Sequence, residues 1–134
     1  MAAKDKETDS ITALLVDDEE EFVSTLAERM EMRGLEVRVA LDGSQAIEAI
    51  AAKTPEVMVL DLRMPGMDGM EVLEYVKKHK PGIEVIVLTG HGSEKDREQA
   101  MRLGAFDYLQ KPVGLDPLVN RIRKAYRQKI YQDT

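Results

Sequence analysis

Short apolar runs alternate with longer amphipathic segments along the chain, a pattern that predicts strands alternating with helices. The apolar runs are rich in β-branched residues and lie at 11–16, 35–40, 57–60, 83–88 and 106–110. The run at 57–60 is continuously apolar, as expected of a central parallel strand covered on both faces. The run at 35–40 alternates between apolar and polar residues, and we expect it to form an edge strand.

The segments between these runs carry apolar residues at helical spacing, and each predicts one helix. In the first segment the apolar stripe consists of Phe22, Val23, Leu26, Ala27 and Met30. The fourth segment, from Ser93, differs because its first two turns are almost wholly polar. A helix with so few apolar anchors is predicted to be held weakly against the rest of the fold.

Five strand–helix units predict an α/β fold with a parallel sheet and helices on both of its faces. The chain has 134 residues, and a domain typically has about 150, so a single domain is expected. We place this domain at 11–131, after a flexible segment at 1–10 and before a short tail at 132–134. Ligand sites in open parallel sheets form outside the carboxyl ends of the strands, which is where functional residues are expected.

Composition and charge exclude several classes of function. The chain has no Cys, so disulfides, thiolate catalysis and Cys-based metal sites are ruled out. Its 25 acidic residues outnumber its 19 Lys and Arg, and we therefore expect no direct binding to nucleic acid. No apolar run approaches the roughly 18 residues of a membrane span, and the first ten residues lack the apolar core of a signal peptide. A cytoplasmic protein is expected, with no membrane contact.

Four of the five predicted strands lead directly into polar or charged side chains. Asp17 and Asp18 follow the first strand, Asp61 the third, Thr89 the fourth and Lys111 the fifth. Two carboxylates about 4 Å apart repel each other by about 4 kcal/mol at an effective dielectric constant near 20. Such a cluster either takes up protons or attracts cations. Because its ligand atoms are all oxygens and no His is near in sequence, the cluster favours Mg²⁺ over a transition metal.

A hard cation beside a carboxylate, with an ammonium and a hydroxyl opposite, is suited to binding a phosphoryl group. Lys111 and the cation would neutralise the phosphoryl oxygens, and the Thr89 hydroxyl would donate a hydrogen bond to one of them. An aspartate can itself be the nucleophile and form an aspartyl phosphate. Asp61 is the strongest candidate, since a carboxylate directly after a fully apolar strand is costly to bury without a partner.

Four segments resemble the receiver domain of two-component response regulators, the phosphoacceptor fold found in chemotaxis signalling. They are VDDEE from Val16, DLRMPGMDGMEVL from Asp61, VIVLTGHGS from Val85 and GAFDYLQKP from Gly104. The resemblance implies a flavodoxin-like, doubly wound fold with five parallel strands in the order 2-1-3-4-5. It also implies a signalling domain that receives a phosphoryl group from a histidine kinase or phosphotransfer protein. Such a domain catalyses only its own phosphorylation and dephosphorylation and controls an output domain or partner.

The resemblance assigns a phosphoacceptor and a metal site. Asp61 would accept the phosphoryl group and bind Mg²⁺, for which Mn²⁺ can substitute. Asp18 would bind the metal directly and Asp17 through water, and the main-chain carbonyl of Arg63 would complete the protein ligands. Asp18 could also cap the first helix, and considered alone it favours that role over metal binding.

The resemblance also assigns a switch. Thr89 and Lys111 would contact the phosphoryl group, and the peptide bond between Lys111 and Pro112 would be cis. Tyr108 matches the aromatic position that moves into the space Thr89 vacates.

The surface that responds to this switch would consist of the fourth helix, the fifth strand and the fifth helix. It would include Asp107 and Arg123, and a homodimer linked to phosphorylation is expected to form through it.

Three other classes of protein share part of this pattern. A Mg²⁺-dependent aspartyl-phosphate hydrolase requires a second Asp two residues after its nucleophile, where this chain has Arg63. A flavodoxin-like carrier requires a loop rich in Ser, Thr and Gly after the first strand, whereas the acidic loop at 17–21 would repel the phosphate of FMN. A receiver-like scaffold that has lost phosphorylation is disfavoured by the complete set of motif residues.

Overall fold

A computed structural model of the chain describes residues 10–133 and contains one five-stranded parallel sheet. Its strands are β1 (Thr12–Val16), β2 (Glu36–Ala40), β3 (Val57–Leu60), β4 (Glu84–Thr89) and β5 (Asp107–Gln110). Its helices are α1 (Glu20–Glu31), α2 (Gly43–Ala52), α3 (Gly69–His79), α4 (Glu94–Arg102) and α5 (Leu115–Asp133). The strand order β2-β1-β3-β4-β5 confirms the predicted fold class.

The order of the strands reverses at β1, which lies between β2 and β3. Val16 and Leu60, the last residues of β1 and β3, lie opposite each other in register. The backbone N–H of Asp61 then donates to the carbonyl oxygen of Val16 over 2.9 Å. Asp17 and Asp61 therefore leave the sheet side by side at its carboxyl edge.

Two apolar layers cover the sheet, one on each face. Side chains of α2, α3 and α4 pack on one face and those of α1 and α5 on the other. All residues of β3 are buried, whereas most of β2 is partly or fully exposed, as the central and edge patterns predict. Burial of each large aliphatic side chain contributes about 1.5–3 kcal/mol, so these layers provide a rigid support for the strand ends.

The helix α4 is anchored by fewer apolar side chains than its neighbour α3. Ala100 is the buried residue of α4, whereas α3 buries Val72, Leu73 and Val76. This confirms the predicted shortage of apolar anchors in the fourth helix. A capping box centred on Ser93 satisfies the first backbone N–H groups of α4, so local hydrogen bonds hold its start.

At both ends, ordered contacts extend slightly beyond the range predicted for the domain. The prediction ends the domain at 131, but α5 continues to Asp133. At the other end, the N–H of Ser10 donates to the carbonyl oxygen of Gly34 over 2.7 Å, so this residue of the expected flexible segment contacts the fold. The remainder of that segment, 1–9, and the final residue of the expected tail lie outside the described residues. Between residues 10 and 133, no helix is long and apolar enough to cross a bilayer.

Candidate functional site

The ends of β1, β3 and β5 bring two carboxylates and one ammonium together. Lys111 Nζ lies 2.7 Å from Asp17 Oδ2 and 3.9 Å from Asp61 Oδ2. Asp17 and Asp61 are only 5% and 4% exposed, although both are acidic. Because the three side chains come from separate strands, their meeting is a product of the strand order and not of local sequence.

Burial and hydrogen bonding act in opposite directions on the charges of this site. Burial raises the pKa of Asp17 above its ordinary value, although hydrogen bonds from Lys111 and from the backbone N–H of Glu19 lower it in part. Burial lowers the pKa of Lys111, but its hydrogen bonds to Asp17 and Glu19 outweigh burial, and the pKa lies above its ordinary value. Lys111 is therefore held in its ammonium form more firmly than an ordinary lysine.

The backbone orients the Asp61 carboxylate and the Thr89 hydroxyl. The N–H of Arg63 donates to Asp61 Oδ1 over 3.3 Å. Thr89, at the end of β4, is fully buried, and its Oγ1 accepts a hydrogen bond from the N–H of His91 over 3.3 Å. A hydroxyl that accepts one hydrogen bond can still donate its own hydrogen to a further acceptor.

Sequence reasoning missed Glu19 as a member of the acidic cluster. Carboxylate oxygens of Asp17, Glu19 and Asp61 all lie within 4.8 Å of one another, and Glu19 Oε1 is 2.6 Å from Lys111 Nζ. Asp18, the predicted direct metal ligand, is exposed and does not belong to this group. β1 ends at Val16 and Asp18 forms a bend, so the alternation of a strand does not extend over this loop and no pattern in the sequence identifies Glu19.

The N-cap of the first helix is not Asp18. Glu19 occupies the N-cap position of α1, and its side chain makes no capping hydrogen bond. The alternative of a purely structural role for Asp18 as the helix cap is therefore wrong.

The donor set suits a hard divalent cation. Asp17, Glu19 and Asp61 offer only carboxylate oxygens, the ligands that Mg²⁺ prefers. The single ammonium of Lys111 offsets one of the three negative charges, and a divalent cation would offset the other two. The residues present therefore fit the metal implied by the sequence resemblance.

The side chain of Arg63 connects the site to α4. Its Nη2 donates to Asp96 Oδ2 over 3.2 Å and to the carbonyl oxygen of His91 over 3.4 Å. Asp96 also completes the capping box that begins α4. One residue thus contacts the Asp61 carboxylate through its backbone and the start of α4 through its guanidinium.

Tyr108 lies beside Thr89 in a space left open by a glycine. A Cβ atom added to Gly92 would lie 1.4 Å from Tyr108 Oη and 2.9 Å from Thr89 Cγ2. Burial raises the pKa of Tyr108, and its Oη makes no hydrogen bond with the described residues. Just after β5, Lys111 and Pro112 are joined by a cis peptide bond, as the resemblance implies.

The two residues named for the predicted output surface have different surroundings. Asp107 Oδ2 forms an ion pair with Arg121 Nη1 over 2.9 Å, which joins β5 to α5. Arg123 instead donates from Nη2 to the carbonyl oxygen of Arg33, just after α1, over 3.0 Å. The Arg123 guanidinium therefore contacts the α1 side of α5.

Fold and site together define a class of protein: a doubly wound domain with an acid–lysine cluster at the switch in strand order. Residues 13–123 match the family model described as the response regulator receiver domain. The chain therefore belongs to the response regulator receiver domain family, whose function in two-component systems is to accept a phosphoryl group.

The relatives and solved structures are consistent with this family. The transcriptional regulatory protein DctD of Pseudomonas aeruginosa is 39% identical over 112 residues, covering 84% of this chain and 24% of that protein. The DNA-binding transcriptional regulator NtrC of Escherichia coli is 37% identical over 111 residues, covering 83% and 24%. The chain thus spans about a quarter of the length of these curated relatives.

Two solved receiver domains have the same fold over nearly their full length. A CheY-like receiver domain protein of Methanospirillum hungatei superposes with a TM-score of 0.87 at 26% identity, covering 90% of this chain and 97% of that chain. The receiver domain of NtrX from Brucella abortus has a TM-score of 0.81 at 32% identity, covering 86% and 98%.

Proposed function

We propose that this receiver domain accepts its phosphoryl group on Asp61, with Lys111 and Thr89 as the groups that contact the transferred oxygens. The observation that supports this assignment most directly is the pairing of two buried carboxylates, Asp17 and Asp61, with one ammonium at the carboxyl edge of the sheet. A buried cluster with more negative than positive charge is costly to maintain for stability alone.

In the proposed reaction, a carboxylate oxygen of Asp61 attacks the phosphorus of a phosphohistidine. A phosphorus–oxygen bond forms, the phosphorus–nitrogen bond breaks, and the imidazole leaves with the electron pair and takes up a proton. The product is an aspartyl phosphate and a free histidine. Lys111 would neutralise charge on the transferred oxygens, and the Thr89 hydroxyl would donate a hydrogen bond to one of them.

A divalent cation is proposed to bind in the acidic cluster. Asp17 and Asp61 would hold it, with Asp18 and the main-chain carbonyl of Arg63 as the further ligands that the family resemblance implies. Mg²⁺, or Mn²⁺ in its place, would neutralise the carboxylates and the phosphoryl oxygens when bound. Burial of both carboxylates supports this proposal, because excess buried negative charge requires a counter-ion.

The proposed response to phosphorylation is a shift of α4 and its surroundings. Three features support it: the single buried residue of α4, the contact of Arg63 with Asp96, and the position of Tyr108 beside Thr89. A shift in the relative stability of two arrangements of this surface would transmit the signal.

The proposed partners are a histidine kinase or phosphotransfer protein as donor, a second copy of the chain, and an output domain or partner protein. Relatives such as NtrC are named as DNA-binding transcriptional regulators, and we extend to this chain only the control of an output by its receiver domain. No feature of residues 10–133 favours the hydrolase, the FMN carrier or the scaffold that has lost phosphorylation. The cytoplasmic location stays a prediction.

The test is phosphorylation by acetyl phosphate with Mg²⁺, followed by intact-mass spectrometry. We expect the wild type to gain the mass of one phosphoryl group, and Asp61→Asn to gain none. Asp116→Asn is the matched control, because this aspartate is exposed and lies outside the site, and it should be labelled like the wild type. Full labelling of Asp61→Asn, or of wild type with the metal chelated, would contradict the proposal.

A further inference from the structure

The site contains a short contact that the proposed chemistry does not use. Lys111 Nζ donates to Glu19 Oε1 over 2.6 Å, as short as its bond to Asp17 Oδ2 at 2.7 Å. The proposed phosphoacceptor is farther away, with 3.9 Å between Nζ and Asp61 Oδ2. The ammonium is therefore bound by the loop between β1 and α1 and lies beyond hydrogen-bond distance of Asp61.

The first turn of α1 supplies another contact to the same ammonium. The centroid of the Phe22 ring lies 4.4 Å from Lys111 Nζ, a distance at which an aromatic face attracts a cation. Glu19, Asp17 and Phe22 thus all attract the ammonium towards the β1–α1 side of the site.

Glu19 makes its contact in place of helix capping. It is the N-cap residue of α1, but its side chain forms no capping bond, whereas Asp42, Asp68 and Ser93 cap the three following helices. The Glu19 side chain is also 62% exposed, so solvent can replace the ammonium as its partner. Asp17, with a side chain that is only 7% exposed, has no such freedom.

We propose that Glu19 is a positioning residue that tethers Lys111 away from Asp61 until phosphoryl oxygens displace it. This inference rests on the proposed function. With acetyl phosphate as donor, a bond forms between an Asp61 oxygen and phosphorus, the bond from phosphorus to the acetyl oxygen breaks, and acetate leaves. The transferred oxygens then compete with the Glu19 carboxylate for the hydrogens of the ammonium, so the tether slows the transfer.

The kinetic test compares Glu19→Gln with Glu20→Gln, which makes the same change in charge one residue away. A neutral amide oxygen binds an ammonium less strongly than a carboxylate does. We expect Glu19→Gln to be labelled by acetyl phosphate about two- to fivefold faster at saturating Mg²⁺, the factor that the loss of one exposed ion pair allows. Glu20→Gln should match the wild type. In a Lys111→Met background, the Glu19 substitution should give no acceleration.

A second test needs neither metal nor phosphate. In an ammonium-selective ¹⁵N–¹H spectrum of the metal-free protein, the Lys111 signal should be visible in wild type and in Glu20→Gln, and weakened by faster exchange in Glu19→Gln. An unchanged Lys111 signal would overturn the tether. Normal labelling of wild type on Asp61 with no acceleration in Glu19→Gln would also overturn the tether alone. A wild type that takes no phosphoryl group on Asp61 would overturn the proposed function, and the tether with it.

Discussion

Replacement of Asp61 by asparagine is predicted to stabilise the fold while it removes the proposed phosphoacceptor. The substitution removes one buried negative charge with little change in shape. Lys111 Nζ, 3.9 Å away, attracts that charge by about 4 kcal/mol, and a carboxylate oxygen of Asp17, within 4.8 Å, repels it by at least about 3.5 kcal/mol at an effective dielectric constant near 20. These two interactions nearly cancel.

The balance is therefore decided by burial and by Glu19. Burying a carboxylate costs several kcal/mol. The hydrogen bond from the Arg63 N–H to Asp61 offsets about 1.5–3 kcal/mol of that cost. Glu19 adds a repulsion that solvent weakens, because its side chain is exposed. The charge on Asp61 is thus unfavourable in the absence of metal, and we expect its removal to raise the free energy of unfolding by about 2 kcal/mol.

Urea unfolding in the presence of a chelator, followed by far-UV circular dichroism at neutral pH, measures this difference. The urea dependence of the free energy should be the same in both proteins, so that the midpoints report stability. The control Asp116→Asn loses an exposed ion pair with Arg33 and should lose less than about 1 kcal/mol. An Asp61→Asn variant less stable than wild type would refute the reasoning that the site carries excess negative charge.

Three further predictions follow from the contacts of the site. Gly92→Ala should lower the free energy of unfolding by about 1–3 kcal/mol, because the new Cβ would lie 1.4 Å from Tyr108 Oη, whereas a Cβ on Gly90 meets no atom nearer than 3.8 Å. Thermal unfolding of both alanine variants measures this, and equal stabilities would contradict the position of Tyr108. The pKa of Lys111 lies above its ordinary value of 10.5, so its contribution to stability is complete below 10.5 and is lost as the pH rises through the raised pKa. Urea unfolding across that range should show a loss in wild type that is missing from Lys111→Met; the same loss in both would disprove the assignment. Mg²⁺ at 100 times its Kd should stabilise the wild type by about 2.7 kcal/mol, and Asp17→Asn should gain less in the same unfolding assay; equal gains would count against the metal site.

Hydrophobic periodicity predicts this fold well because it reports burial. The continuous apolar run at 57–60 becomes the fully buried β3, and the alternating run at 35–40 becomes the edge strand β2. The polar start of the fourth helix likewise predicts few apolar anchors, and Ala100 is the buried residue of α4. Each of these features depends on which residues contact water, and the polarity of a side chain indicates directly whether it is buried or exposed.

The directions of side chains in loops could not be predicted from the sequence. Asp18 and Glu19 are adjacent acids, and only the backbone path after β1 shows that Glu19 contacts Lys111 while Asp18 faces solvent. The contact of Arg123 with the end of α1 depends on how two distant helices pack, which their sequences do not state.

The end of α5 could not be predicted from the sequence for a different reason. Helix ends are recognised by Gly or Pro, and neither occurs between 126 and 133. The family resemblance extends to about residue 127 and the predicted domain to 131, whereas the helix, with no Gly or Pro to stop it, continues to Asp133.

Chemical mapping of the phosphorylated residue tests the central claim most directly. After labelling with acetyl phosphate and Mg²⁺, borohydride reduces an aspartyl phosphate to homoserine, and peptide mass spectrometry then locates the converted residue. The account predicts homoserine at position 61 and at no other aspartate. Conversion at Asp17 or Asp18 instead, or a phosphoryl group that borohydride does not remove, would contradict it.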